Sequence, residues 1–259
     1  MDSTWTALLD GPAPAQHAVQ VYRELDELAE SVAVYLAAGF RADEPAVVIA
    51  TPEHWEAFAV RLAAHGWAPD ALEVAGLLRV ADADETLAAF MVDGLPSPPA
   101  FEQVVGELMD HVAERFPARR IRAFGEMVDR LCADGNLDGA FALETLWNGL
   151  AESRDFSLLC GYRLDIFDRV SQASVLPEIC RAHSHVHPVE DTTRLQRAVD
   201  HALEDALGND AGKVYALIGR QIRGARVPSA QLALMWVSEN MPSSAERILA
   251  SARAHYDGS

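Results

Sequence analysis

Ala46-Val-Val-Ile-Ala-Thr51-Pro-Glu53 is the stretch from which the fold can be read. Its apolar run is of strand length and does not alternate with polar residues, the pattern of a strand covered on both faces. Thr51 then offers a side-chain oxygen to cap a helix whose first residue is Pro52, a position where a missing N–H costs nothing. That helix is expected to end near His65-Gly66. A covered strand passing straight into a helix is the repeating unit of a parallel α/β sheet.

The same alternation extends in both directions. Upstream, Gly11-Pro-Ala-Pro14 closes a short lead, and His17-Ala-Val-Gln-Val-Tyr22 reads as a strand. From Glu24 to Phe40, Leu25, Leu28, Val32, Tyr35 and Leu36 recur at helical spacing, with Gly39 placed to close the helix. Downstream, Gly76–Asp82 reads as a strand, and Asp84 opens a helix ending near Asp93-Gly94. After the Pro96-Ser-Pro-Pro99 break, residues 101–116 are helical. Ile121-Arg-Ala-Phe-Gly-Glu-Met127 is a strand followed by a polar turn, residues 137–150 form a helix, and Phe156–Tyr162 is the last core strand. The predicted fold is therefore α/β, a mainly parallel sheet with helices on both faces and right-handed crossovers. Beyond Pro177 comes the histidine-rich stretch, and then helices near 192–207, 211–222, 229–240 and 243–256, with no strand expected among them. The organisation reads as a lead (1–14), an α/β domain (15–187) and a small helical C-terminal module (188–259).

Composition narrows the function. The 259 residues are 50% apolar and carry a formal net charge of -18. So negative a surface repels nucleic-acid phosphates and anionic lipid, so neither is expected as a partner. The densest basic run, Arg115 to Arg122, reads as a loop with a solvated rim. The three cysteines, Cys132, Cys160 and Cys180, are far apart, as expected of free thiols in a reducing compartment. The N-terminus lacks the pattern of a signal peptide, and no apolar run reaches the roughly 18 residues of a membrane span. A cytoplasmic location is expected.

His17–Tyr22, Tyr35–Thr51, Ile121–Met127, Leu143-Glu-Thr-Leu-Trp-Asn148 and Leu158-Leu-Cys-Gly-Tyr162, in that order and spacing, resemble the MEDS domain. This is the sensory domain named after methanogen and methylotroph regulators and DcmR. The resemblance covers roughly residues 15–185. It implies a RecA/KaiC-like layout and a sensing role. In RecA-type ATPases the first strand runs into a glycine-rich loop that cradles phosphates. The matching stretch here, Tyr22-Arg-Glu-Leu-Asp-Glu27, has no Gly or Lys, and it is acidic. ATP is therefore disfavoured.

Ligands of parallel sheets bind at the carboxyl ends of the strands. His17, Tyr22, Glu53, Arg122, Glu126, Glu144, Asn148 and Tyr162 are the candidate ligand-binding residues. Glu126 follows an apolar strand directly, where it could contact a ligand or metal, pair with Arg122, or cap the next turn. Glu144 and Asn148 share one helix face beside Trp147. His17 is either a structural residue or one that titrates near neutral pH. His183-Ser-His-Val-His187, preceded by Cys180, offers transition-metal ligands in either strand or helix geometry, or serves as a polar hinge before Pro188. In the tail, Ala230-Gln-Leu-Ala-Leu-Met-Trp-Val237 reads as internal packing or as a partner or dimer surface. No Gly-x-Ser-x-Gly, HExxH or EF-hand motif is present.

The leading expectation is a non-enzymatic sensory or regulatory protein that binds a small ligand at the strand ends. It would signal through its helical tail or a regulatory partner, since no kinase or helix-turn-helix output segment is recognisable within this length. One alternative is a metal-dependent or residual nucleotide hydrolase using His183–His187 or Glu126. The other is an interaction scaffold with a vestigial site.

Overall fold

The structure is a computed structural model and describes residues 3–218 and 226–258. Its strands are β1 (His17–Tyr22), β2 (Ala46–Ala50), β3 (Leu78–Asp82), β4 (Met91–Val92), β5 (Leu95–Pro96), β6 (Ile121–Gly125), β7 (Phe156–Arg163) and β8 (His185–His187). The fold is α/β, as the sequence predicts. A six-stranded parallel sheet runs in the order β3-β2-β6-β7-β1-β8 with flanking helices, and β4 and β5 form a separate hairpin. The helices up to β7 are α1 (Ser3–Asp10), α2 (Leu25–Arg41), α3 (Pro52–Ala64), α4 (Pro69–Ala75), α5 (Ala83–Phe90), α6 (Pro98–Phe101), α7 (Glu107–Arg115), α8 (Met127–Ala133) and α9 (Leu137–Ala151). After it come α10 (Leu176–Ala182), α11 (Thr192–Leu207), α12 (Ala211–Ile218), α13 (Ser229–Asn240) and α14 (Pro242–Gly258). The expected continuation of α12 to Ile222 and the Gly224 break lie outside the described residues.

Chain contacts divide the molecule into two compact units. One contains Ser3–Ala18 and Glu24–Tyr162. In it β2 pairs in parallel with β3 and β6, and β6 with β7, in the register Arg122↔Ser157 and Gly125↔Cys160. Strand alternation then sorts the side chains. Phe124 and Ser157 face α2 and α3, where Tyr35 donates to the Ser157 carbonyl at 2.8 Å and Phe58 meets Phe124 edge-on at 5.1 Å. Phe156 faces the other layer, where Trp147 of α9 lies 6.0 Å away and Phe101 of α6 stacks edge-on against Trp147 at 5.5 Å. α3 starts as the sequence predicts, with Thr51 accepting from the His54 N–H at 3.4 Å.

Three expectations are corrected. The helix from Ala83 is capped by Asp82, not Asp84, and ends at Phe90. Asp93 and Gly94, with φ of 50° and 81°, form the turn between β4 and β5. This is an Asp-Gly hairpin of the kind that demands two left-handed residues. The polar turn after Met127 is helix α8. Gly39 does not close α2, which continues to Arg41. A Cβ at Gly39 would lie 2.6 Å from Cγ of Arg122, so the glycine clears a channel for that side chain.

Arg122 explains why the channel is needed. It is 3% exposed, unlike the rest of the basic run that the sequence reads as a solvated rim. Nε donates to Glu44 at 2.6 Å, Nη1 to the Leu9 and Tyr35 carbonyls, and Nη2 to the Asp10 carbonyl at 3.0 Å. The guanidinium thus satisfies the carbonyl end of α1 and holds that helix beside α2.

The second unit contains Val19–Arg23 and the chain from Arg163 onward. α11, α13 and α14 pack on one another there, and β8 bridges to Arg226. Gln231 of α13 donates to Gln172 at 2.8 Å in the core of this unit.

Gly39→Ala is expected to destabilise the protein by about 1–3 kcal/mol through overpacking, although alanine is the better helix former by about 1 kcal/mol. In an Arg122→Ala background the sign should reverse. Urea denaturation of the double-mutant cycle checks this, and additive effects would contradict it.

Candidate functional site

Two polar clusters occupy the α/β unit toward the carboxyl ends of β6 and β7, which are neighbours. The first is built on Glu126, the residue after β6. Its carboxylate is buried, at 1% exposure. Oε1 accepts from the Thr51 backbone N–H at 2.5 Å, and Oε2 lies 2.5 Å from His54 Nδ1. The anion therefore sits at the N-terminus of α3, where the helix dipole favours it. His54, half-buried, is held above its ordinary pKa by the hydrogen bond to Glu126, against the opposing effect of burial. Both carboxylate oxygens are thereby engaged, and the arrangement ties the end of β6 to the β2–α3 turn. Arg122, the alternative partner for Glu126, stands near the amino end of β6 and pairs with Glu44 instead.

The second cluster lies against β7. Cys160 and Tyr162 alternate onto the face covered by α9, which carries Glu144 and Asn148 one turn apart, and His17 opens β1 beside them. His17 Nδ1 is 2.9 Å from Asn148 Oδ1. His17 Nε2 is 3.2 Å from Cys160 Sγ and 3.4 Å from Glu144 Oε2. Tyr162 donates to Glu144 Oε1 at 2.5 Å. His17, Glu144, Cys160 and Tyr162 are all buried. Burial pushes the Glu144 pKa up, opposed by His17 and Tyr162, and drives the Cys160 thiol and the Tyr162 hydroxyl well above their usual values. Because an amide oxygen only accepts, the Asn148 contact assigns a proton to Nδ1.

Four residues singled out in the sequence, His17, Glu144, Asn148 and Tyr162, thus come together in this cluster. Cys160 was not singled out. Its strand parity with Tyr162, two residues on, was the available signal. His54, which Thr51-Pro-Glu-His54 places in the first turn of a capped helix, meets Glu126 from the end of the neighbouring strand. Glu53 is exposed in that turn. Tyr22 is buried in the second unit, at the end of β1.

The histidine run also belongs to the second unit. His183 is buried with Nδ1 2.8 Å from the Ile179 carbonyl, and burial pulls its pKa down to about 4. Burial, then Arg226, lowers the pKa of the half-exposed His185, and His187 is buried at the end of β8. Cys180 has its thiol pushed up to about 12 by burial. Among the described residues, Cys180, His185 and His187 belong to no group of converging metal-ligating atoms. A groove of about 610 Å³ in the α/β unit, walled by Gly76, Leu78, Arg79, His111 and Arg115, lies at the amino end of β3. In the second unit a groove of about 330 Å³ is walled by Pro177, Ile218, Leu232, Met235 and Trp236.

These features define a parallel α/β domain whose first strand leads into an acidic helix start, with ionisable groups buried at its sheet. Residues 16–184 match the family model of the MEDS domain, the methanogen/methylotroph, DcmR sensory domain, and the chain belongs to that family. No curated protein matches the chain. No helix among the described residues is long and apolar enough to cross a membrane.

Two pH dependences follow. A histidine whose pKa is raised by folding contributes stability that is full below its unfolded value of 6.5 and is lost as pH rises through the folded value. His54→Gln should therefore cost more stability near about pH 6 than near about pH 9. Glu144 has a raised pKa and costs stability once ionised, while Glu144→Gln keeps an acceptor for Tyr162. With a chelator present, this variant should gain in urea midpoint over the wild type at about pH 8 relative to about pH 5. A pH-independent difference in either case would contradict the assignment.

Proposed function

We propose that this protein is a non-enzymatic sensory or regulatory protein. In this reading the MEDS domain binds a small ligand toward the carboxyl ends of its central strands. The observation that carries the reading is the convergence of His17, Glu144, Asn148 and Tyr162, drawn from separate elements, with Cys160 inside a hydrophobic core. Burying a carboxylate in such a place is costly unless its charge is used. Membership of a sensory family points the same way.

A ligand shifts a conformational equilibrium only by binding one state better than the other. The chain offers a route for such a shift. β1 leaves the α/β unit one residue after His17, and β7 leaves it directly after Tyr162. Both strands continue into the unit that holds the C-terminal helices, so a change at the cluster is passed on covalently. The groove beside Trp236 would suit a regulatory protein or a second copy of the chain. Action without nucleic acid fits the charge of -18.

A thermal-shift screen of metabolites, nucleotides and divalent metals, followed by hydrogen exchange, tests the reading. A true ligand at 100 times its Kd stabilises by about 2.7 kcal/mol, and that gain should vanish in Tyr162→Phe or Asn148→Ala. The same ligand should change exchange in α11, α13 and α14. Absence of any stabilising compound would overturn the sensory reading, and turnover of a bound nucleotide would favour the hydrolase alternative.

A further inference from the structure

We infer that the cluster on β7 and α9 is a transition-metal site in which His17 Nε2, Cys160 Sγ and Glu144 Oε2 are protein ligands. The inference deepens the sensory reading and rests on it for the meaning of the signal, while binding itself can be tested directly.

Geometry is the first argument. Zinc bonds of about 2.0 Å to nitrogen or oxygen and 2.3 Å to sulfur put tetrahedral ligand atoms about 3.3–3.6 Å apart. Nε2 lies 3.2 Å from Sγ and 3.4 Å from Oε2, and the ligand atoms lie within 4.8 Å of one another. Both spacings from Nε2 are thus close to those of coordination, and Sγ lies within 4.8 Å of the carboxylate oxygen.

Proton inventory is the second. With Nδ1–H donating to Asn148, a neutral His17 ring turns its Nε2 lone pair toward the Glu144 carboxylate. Without metal, a proton from the Cys160 thiol or on Glu144 serves that space, and a cation can take its place. A divalent cation also answers the charge. Imidazole, thiolate and carboxylate carry two negative charges together, and a dication brings the buried set to neutrality.

The supporting contacts are those a metal site requires. Asn148 fixes the tautomer and orientation of His17, and Tyr162 holds the second oxygen of Glu144. Such outer partners of metal ligands commonly decide affinity. A mixed nitrogen, sulfur and oxygen set favours Zn²⁺, Co²⁺, Fe²⁺ or Ni²⁺ over Mg²⁺ or Ca²⁺. On binding, the Cys160 S–H bond breaks, the sulfur–metal bond forms and the proton leaves to solvent. Binding therefore weakens as pH falls.

The test uses the full chain without a histidine tag, stripped with chelator and titrated with Co²⁺. The expected result is one equivalent bound, with a thiolate-to-cobalt charge-transfer band. Cys160→Ser should abolish the band, Cys132→Ser and Cys180→Ser should retain it, and Asn148→Ala should weaken binding about 10–100-fold. Circular dichroism of each variant separates lost binding from lost folding. If Cys160→Ser does not fold, abolition of the band in folded His17→Gln serves instead. No band in the wild type, or one that survives Cys160→Ser, overturns the inference. Should metal fail while an organic compound stabilises the protein through Tyr162 and Asn148, the sensory reading stands and only the metal falls. If nothing binds, both fall.

Discussion

The contact on which the site depends is between His17 Nε2 and Glu144 Oε2, 3.4 Å apart in a core where both side chains are almost fully buried. Hydrophobic packing alone would place neither residue there. Leu143, Trp147 and Leu150 show what the buried face of α9 otherwise prefers. The carboxylate is retained at the expense of desolvation, visible as its raised pKa. Its neighbours, a tyrosine hydroxyl, a thiol and an amide-oriented imidazole, each address it or its partner. Such an arrangement is costly when left charged and stabilising when something neutralises it.

The scaffold supplies what the cluster needs. β2, β6 and β7 are locked in parallel register, and their faces are filled by aromatic contacts at Phe58–Phe124 and Trp147–Phe156. Two other buried polar systems stay separate from the cluster. Arg122 ties the first helix to α2, and Glu126 ties the β6 end to α3. In the first, four donor contacts leave the guanidinium with its needs met by Glu44 and backbone carbonyls. In the second, both carboxylate oxygens are used. The two systems hold the sheet ends in place while the polar atoms of the β7 cluster converge on one another.

Much of this was legible in the residues. Ala46–Ala50 with Thr51-Pro52 announced a covered strand and a capped helix, and both are present. The i and i+4 spacing of Glu144 and Asn148 announced a shared face. What was not legible depends on distances across the fold. His17 and Cys160 are separated by well over a hundred residues, and only strand order brings them together. The role of Gly39 was misread for the same reason, because the atom that requires it belongs to Arg122 on another element. The β4–β5 hairpin was missed although Asp93-Gly94 carried its signal, since its strands are only a residue pair each.

The central claim is that the buried cluster holds a ligand rather than merely filling the core. It is tested most directly by weighing the untagged protein as isolated, under native and then denaturing conditions. The account predicts a native mass that exceeds the denatured mass by a metal ion or a small molecule, with the excess absent in Cys160→Ser. Identical masses in the two conditions would contradict it.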